Sequence, residues 1–286
     1  MRKRWIIKEA DVNIIDSLSS SLGIDRIIAQ ILANRGIKTK SQAERFLNCT
    51  LQNLRPPSEL RDMDKATERI NKAVSRKERI MIFSDYDVDG ITSCAILEKE
   101  LKGRGAQVLH YIPHRVKEGY GLTINAVNMA HKEKVKLFIA LDCGIKSFKE
   151  VELLNKHNID IIIVDHHQPQ EGALPSAYAI INPKRSDCSY EFKNLAAVGL
   201  TYKLICSLQK KNTDDYLDLI ALGTIADVVP LIDENRIIVK NGLLKINKSS
   251  NLGIQALIEA SGLKDKEINP GKVSFILAPR INASGR

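Results

Sequence analysis

From residue 80 onward, short apolar runs alternate with stretches whose apolar residues recur at helical spacing. The runs at 80–84, 108–112, 137–141, 160–164 and 177–181 have the length of strands, and helical periods fall between them near 91–103, 123–134 and 147–158. This alternation predicts an α/β fold, a mainly parallel sheet with helices on both faces joined by right-handed crossovers. Before residue 80 the pattern is helical only. Apolar residues at 24, 27, 28, 31 and 32 predict a helix over 25–34 ended by Gly36, and Ser41 with Glu44 three residues on predicts the N-cap of a helix over 41–47. Pro56-Pro57 breaks the chain, and a third helix is expected over 64–77. After the strands the pattern is again helical, over 195–210, 214–226, 235–246, 253–262 and 271–279. The expected organisation is a helical N-terminal segment (1–79), the sheet domain (80–232) and a helical C-terminal extension (233–286).

Three of the apolar runs end in acid. Ile80-Met81-Ile82-Phe83 leads to Asp85-Tyr86-Asp87-Val88-Asp89-Gly90, the run ending at Leu141 meets Asp142, and the run ending at Val164 meets Asp165-His166-His167. In open α/β sheets ligands bind beyond the carboxyl ends of the strands, so these groups are expected to converge. Such a concentration of carboxylates is costly unless cations neutralise it. Carboxylates with imidazole, and no thiolate cluster, suit Mn or Mg. Two such ions ~3.5–4 Å apart, sharing one carboxylate, would activate a water for phosphate-ester hydrolysis. The first motif also begins like an EF-hand loop, but the twelfth position is Ile96, where that loop needs a bidentate Glu, and a strand precedes it.

The adjacent His166 and His167 point in different directions, so one can ligate a metal while the other meets a substrate phosphate. Asp227 lies in the apolar stretch 222–231 and needs a partner there; beside the other acids it reads as a further ligand. Arg115, Glu118 and Gly119-Tyr120-Gly121 form a loop after the second strand. Its glycines either let backbone approach a ligand, with Tyr120 stacking on a base, or make a structural turn around a packed tyrosine. Arg280, Asn282 and Arg286 cluster after the last expected helix, and the arginine fork suits phosphate oxygens.

Charge adds a polyanion to this picture. The 286 residues carry a net charge of +9, and residues 1–79 alone hold 17 Lys and Arg against 10 Asp and Glu. That basic segment is either a nucleic-acid contact or a solvated helical surface. No apolar run reaches ~18 residues, and the basic start lacks the apolar core of a signal peptide, so no membrane association is expected. Five dispersed cysteines without a CxxC pair fit reduced thiols in the cytoplasm.

Taken together these segments resemble the DHH phosphoesterase superfamily. The resemblance runs through 85–92, Tyr111-Ile112-Pro113-His114-Arg115, Glu118-Gly119-Tyr120-Gly121, Leu141-Asp142-Cys143-Gly144, Asp165-His166-His167, Ile181-Asn182-Pro183, Ala197-Val198-Gly199, 223–231 and 279–286. The Glu-Gly-Tyr-Gly and Pro-Arg-Ile-Asn-Ala-Ser-Gly-Arg segments point to its bacterial single-strand-specific exonuclease branch. The resemblance implies Asp87, Asp89, Asp142, His166 and Asp227 as ligands of two divalent ions, Mn or Mg, with Asp85 as a ligand or a support for one. It implies Asp142 as the bridge, Asp142, His166 and His167 as the catalytic group with His167 on the scissile phosphate, and Arg115, Tyr120, Arg280, Asn282 and Arg286 on the substrate. The implied activity is 5′-to-3′ hydrolysis of single-stranded DNA in cytoplasmic recombination and repair, with a single-stranded-DNA-binding protein or a helicase as companion. Members of that branch also carry a second domain with a Gly-Gly-His motif and an oligonucleotide-binding fold. Neither is in this sequence, so the chain is expected to be a piece of a longer protein. Two other readings stay open: a phosphodiesterase of the same superfamily acting on short oligonucleotides or cyclic dinucleotides, and an inactive DNA-binding paralogue.

Overall fold

A computed structural model describes residues 6, 8–248 and 251–284. The chain forms two compact units that divide after Asn53. The first holds α1 (Val12–Leu22), α2 (Arg26–Asn34) and α3 (Lys40–Leu47), closed around Ile15, Leu18, Ala29, Leu32 and Ala43. The sequence reading overlooked α1, because Ser17, Ser19, Ser20 and Ser21 dilute an apolar stripe at Ile14, Ile15, Leu18 and Leu22. The N-cap of α3 is Thr39, not Ser41. Gln42 returns its side chain to the Thr39 N–H and closes a capping box, so the helix starts earlier than expected.

The second unit begins at Leu54, ahead of the boundary expected at residue 79. Its first helix, α4 (Met63–Ser75), lies against the sheet rather than with the N-terminal helices. Met63, Ala66, Ile70 and Ala73 are buried, and Arg69, 5% exposed, ties the helix to Glu78 and Asp160 at 2.8 and 2.6 Å. Next come β1 (Arg79–Ser84), α5 (Val88–Gly103), β2 (Gln107–Tyr111), α6 (Ile124–Lys132), β3 (Leu137–Leu141), α7 (Phe148–Lys156), β4 (Asp160–Val164) and β5 (Ala179–Ile181). All strands are parallel, in the order β2-β1-β3-β4-β5.

Residues alternate across this sheet. Met81, Phe83, Phe138, Ala140, Ile161 and Ile163 pack under α6 and α7. The intervening Ile80, Ile82, Ile139 and Ile162 are fully buried on the other face, which α4, α5 and α8 (Ala197–Gln209) cover. The chain leaves β1 toward β2 on one side and returns to β3 on the other. The topological switch point therefore lies between β1 and β3, where ligands of such sheets bind.

The rest is helical: α9 (Leu217–Ala226), α10 (Asp233–Asn247), α11 (Leu252–Ala260), α12 (Pro270–Lys272), a π turn (Val273–Leu277) and α13 (Ala278–Ser284). The last three run on from one another. The wide turn, with Ala278 N–H bonded to the Val273 carbonyl, precedes Pro279, whose ring and missing N–H cannot join a regular ladder. Arg280 and Asn282 thus stand inside a helix, not after one as expected. Among the described residues no helix is long and apolar enough to cross a membrane.

Candidate metal centre

Backbone pairing sets the acids in place. The ladder runs one residue past each of three neighbouring strands: Asp85 N–H donates to the Leu141 carbonyl, Asp142 N–H to Val164 and Asp165 N–H to Ile181. Asp142 takes a left-handed backbone (φ +61°), a strained conformation for a residue other than glycine. After Asp85 the chain doubles back into α5. Asp87 caps that helix by accepting the Gly90 N–H at 3.0 Å, and a Cβ on Gly90 would stand 2.4 Å from the Asp85 carbonyl oxygen. Only glycine fits that approach. Asp89, in the first turn of α5, accepts the Ala197 and Val198 N–H groups at 2.7 and 2.8 Å, holding the N-terminus of α8. Asp227 is the C-cap of α9.

These groups meet. His166 Nε2 lies 3.3 Å from Asp142 Oδ1, 3.6 Å from Asp227 Oδ2 and 3.9 Å from Asp89 Oδ2. Ligand atoms of Asp85, Asp87 and Asp142 fall within 4.8 Å of one another, as do those of Asp89, His166 and Asp227, and those of Asp142, His166 and His167. The first two sets share no residue, and the third joins them through Asp142 and His166. Five buried atoms there have no hydrogen-bond partner: Asp85 Oδ1, Asp142 Oδ1, Asp227 Oδ2 and both ring nitrogens of His166. Buried polar atoms are seldom orphaned, and carboxylate oxygens gathered with one imidazole nitrogen, His166 Nε2, make a donor set suited to a divalent cation such as Mn or Mg.

The electrostatics agree. Burial raises the carboxyls of Asp85 and Asp227 to about 6, the latter with help from Asp87. Burial and neighbouring acids push Asp89 and Asp142 well above the usual range. His166 is lowered to about 4 by burial and by the charge on His167, so its imidazole is neutral and free to ligate. Asp165 behaves differently. Burial alone would raise it, but hydrogen bonds from His167 and from the Ile145 N–H hold it below the usual value. Its Oδ1 sits 2.7 Å from His167 Nδ1, which raises that imidazole and fixes its ring. Asn182, fully buried, donates to the His167 carbonyl at 2.9 Å and accepts the Lys184 N–H at 2.8 Å. Asn182 thus both supports the His167 backbone and shapes the turn after β5.

The loop after β2 closes one side. The Arg115 guanidinium lies 4.9 Å from the centre of the Tyr86 ring. The Tyr120 hydroxyl donates to the Asp142 carbonyl at 3.3 Å and lies 3.2 Å from His167 Nδ1. Asn282 Oδ1 accepts the Val88 N–H at the start of α5, so that side chain reaches the centre through the backbone. Arg280 is exposed and donates to the Ile276 carbonyl. Arg286 lies outside the described residues. Sequence reasoning quoted Ala197-Val198 but gave no role to their N–H groups, whose only signal was a helix start opposite an acid.

A parallel sheet with carboxylates and imidazoles gathered at its switch point is a scaffold able to hold divalent cations. The profile of the DHH family, N-terminal domain, matches residues 79–224, and the chain belongs to that family. It is 41% identical over 285 residues to the single-stranded-DNA-specific exonuclease RecJ of Bacillus subtilis, covering 100% of this chain and 36% of that protein. A manganese-bound exonuclease RecJ superposes with a TM-score of 0.72 at 36% identity, covering 79% of this chain and 58% of that one. RecJ from Thermus thermophilus in complex with Mn2+ superposes with a TM-score of 0.80 at 30% identity, covering 96% of this chain and 39% of that one. The chain thus spans about a third to a half of the length of the curated relatives it matches.

Proposed function

We propose that this chain holds two divalent cations, Mn or Mg, and hydrolyses phosphodiester bonds of single-stranded DNA from the 5′ end. The convergence of orphaned buried oxygens of Asp85, Asp142 and Asp227 with His166 Nε2, at three neighbouring strand ends and the end of α9, carries the reading. Asp85, Asp87 and Asp142 would hold one ion, and Asp89, His166 and Asp227 the other, with Asp142 between them. Cations there would polarise a phosphoryl oxygen and lower the pKa of a bound water. His167, raised by its hydrogen bond to Asp165 and with its side chain 42% exposed, offers its other ring nitrogen to a substrate phosphate. The raised carboxyls of the metal-free chain fit the same picture, because ionising them together needs positive charge nearby.

Similarity to the RecJ exonucleases supports single-stranded DNA as the substrate. We infer DNA repair and recombination in the cytoplasm as the setting, with a single-stranded-DNA-binding protein or helicase as companion. The decisive assay follows manganese-dependent release of nucleotides from single strands labelled at either end, beside duplex DNA and a dinucleotide. Release of the 5′ label from the long single strand is expected. Turnover confined to the dinucleotide, or none with manganese, would overturn the assignment.

A further inference from the structure

The loop from Ile112 to Gly121 carries Arg115 and Tyr120 to the centre, yet its tip is open to solvent: Val116 is 79% and Ile112 41% exposed. Gly119 and Gly121 flank Tyr120 with φ of +80° and +92°, so backbone preference does little to fix that side chain. What ties the loop to the sheet is Glu118. Its Oε1 accepts the Tyr111 hydroxyl at 2.6 Å, Asn125 Nδ2 at 3.2 Å and Thr123 Oγ1 at 3.4 Å. Its Oε2 accepts the His114 N–H at 2.8 Å. One carboxylate thus joins the end of β2, the first turn of α6 and the start of the loop itself. The Tyr111 ring stacks on Phe83 of β1, with centroids 5.8 Å apart, so the strongest donor is anchored to the sheet. Four donors converge, and only a carboxylate presents acceptors alone.

We propose that Glu118 is the positioning residue that sets the 112–121 loop over the centre and so presents Arg115 and Tyr120 to the substrate end. The proposal rests on the phosphodiesterase reading above. The group acts through the loop and touches neither cation nor substrate. Its loss therefore loosens substrate binding while manganese uptake stays as it is.

The test uses the whole chain with manganese and a 5′-phosphorylated single strand, comparing Glu118→Ala, Glu118→Gln and Tyr111→Phe. Steady-state kinetics, manganese titration and amide exchange over 112–121 are measured on each. Glu118→Ala is expected to lower kcat/KM by about tenfold to 10²-fold, mostly through KM, with faster exchange in the loop and wild-type manganese affinity. Glu118→Gln keeps an acceptor toward Tyr111, Thr123 and Asn125 but turns an N–H on His114, and should fall between. Tyr111→Phe keeps the ring stack, loses one bond and should raise KM severalfold. KM within twofold of wild type in both Glu118→Ala and Tyr111→Phe, or a KM effect that tracks lost manganese, would overturn the proposal. Should Glu118→Ala fail to fold, Tyr111→Phe decides by the same criteria. A wild-type chain that turns over no phosphodiester sinks the hydrolase reading, whereas turnover with wild-type-like variants sinks the brace alone.

Discussion

Replacing Asp142 with Asn should stabilise the metal-free protein and abolish its response to manganese. Asp142 is 2% exposed, its Oδ1 has no partner, and it shares a space of 4.8 Å with the ligand atoms of Asp85 and Asp87. Two unit charges at that separation repel by about 3 kcal/mol at an effective dielectric near 20. Part of this is relieved by protonation, since burial and its acidic neighbours raise the Asp142 carboxyl. A gain of about 2 kcal/mol for the variant at pH 7.5 is reasonable, or roughly 4–8 °C in Tm for a unit of this size. Wild-type protein in turn gains about 2.7 kcal/mol from manganese at a hundred times its Kd, and the variant far less. Thermal unfolding with EDTA and with manganese reads both effects, and nuclease activity should fall at least about 10²-fold. A variant less stable than wild type without metal, yet stabilised by manganese to the same extent, would refute the reasoning.

Further expectations follow from the same geometry. Carboxyls raised in the folded state stabilise it below the unfolded pKa and lose that contribution as pH rises through the folded value. With Asp85 and Asp227 at about 6, metal-free protein should therefore lose stability between about pH 4 and 7, on the order of 3 kcal/mol for each two-unit shift, as urea midpoints would show. His166, lowered to about 4, acts oppositely over about pH 4 to 6.5 and offsets part of that decline. Saturating manganese should remove it. Gly90→Ala forces a methyl to 2.4 Å from the Asp85 carbonyl oxygen and should cost about 1–3 kcal/mol while weakening manganese uptake in calorimetry. Lys203→Met strips the buried Glu234 of a partner at 2.5 Å and should cost about 3–5 kcal/mol, recovered in part by adding Glu234→Leu. Arg280→Ala removes an exposed guanidinium, so stability should stay within about 0.5 kcal/mol, while affinity for single-stranded DNA falls more than manganese uptake; unchanged DNA affinity would count against a phosphate contact.

The sheet was legible because its strands are buried on both faces and read as unbroken apolar runs; 137–141 and 160–164 match β3 and β4 residue for residue. The convergence of the acids was legible for the same reason, since an acid directly after such a run has to lie at a sheet end. Boundaries set by side-chain capping were not. Predicted at 91, α5 begins at Val88 because Asp87, a carboxylate assigned to metal, also caps the helix. The two-sided role of Asp89 was hidden because its partners lie more than a hundred residues away in α8. Glu118 was visible only as part of a motif, and its importance comes from three elements meeting at one carboxylate.

The acids at the centre fall into two kinds, and the division bears on how folding and metal loading are coupled. Asp89 and Asp165 spend their oxygens on backbone N–H groups, of Ala197 and Val198 in one case and of Ile145 and His167 in the other. Those bonds tie α5 to α8 and the end of β3 to the end of β4, and they persist without any cation. Asp85, Asp142 and Asp227 keep orphaned oxygens that no protein donor satisfies. Removing metal therefore leaves the backbone bonds of Asp89 and Asp165 in place, while the orphaned oxygens of the second kind keep no partner at all. The sheet and its helices should survive metal removal, with the loss confined to the segments 85–89, 142–145 and 227–232. Metal loading then acts as local ordering of a preformed fold, which is why a single neutral substitution at Asp142 can both relieve the metal-free state and disable the loaded one.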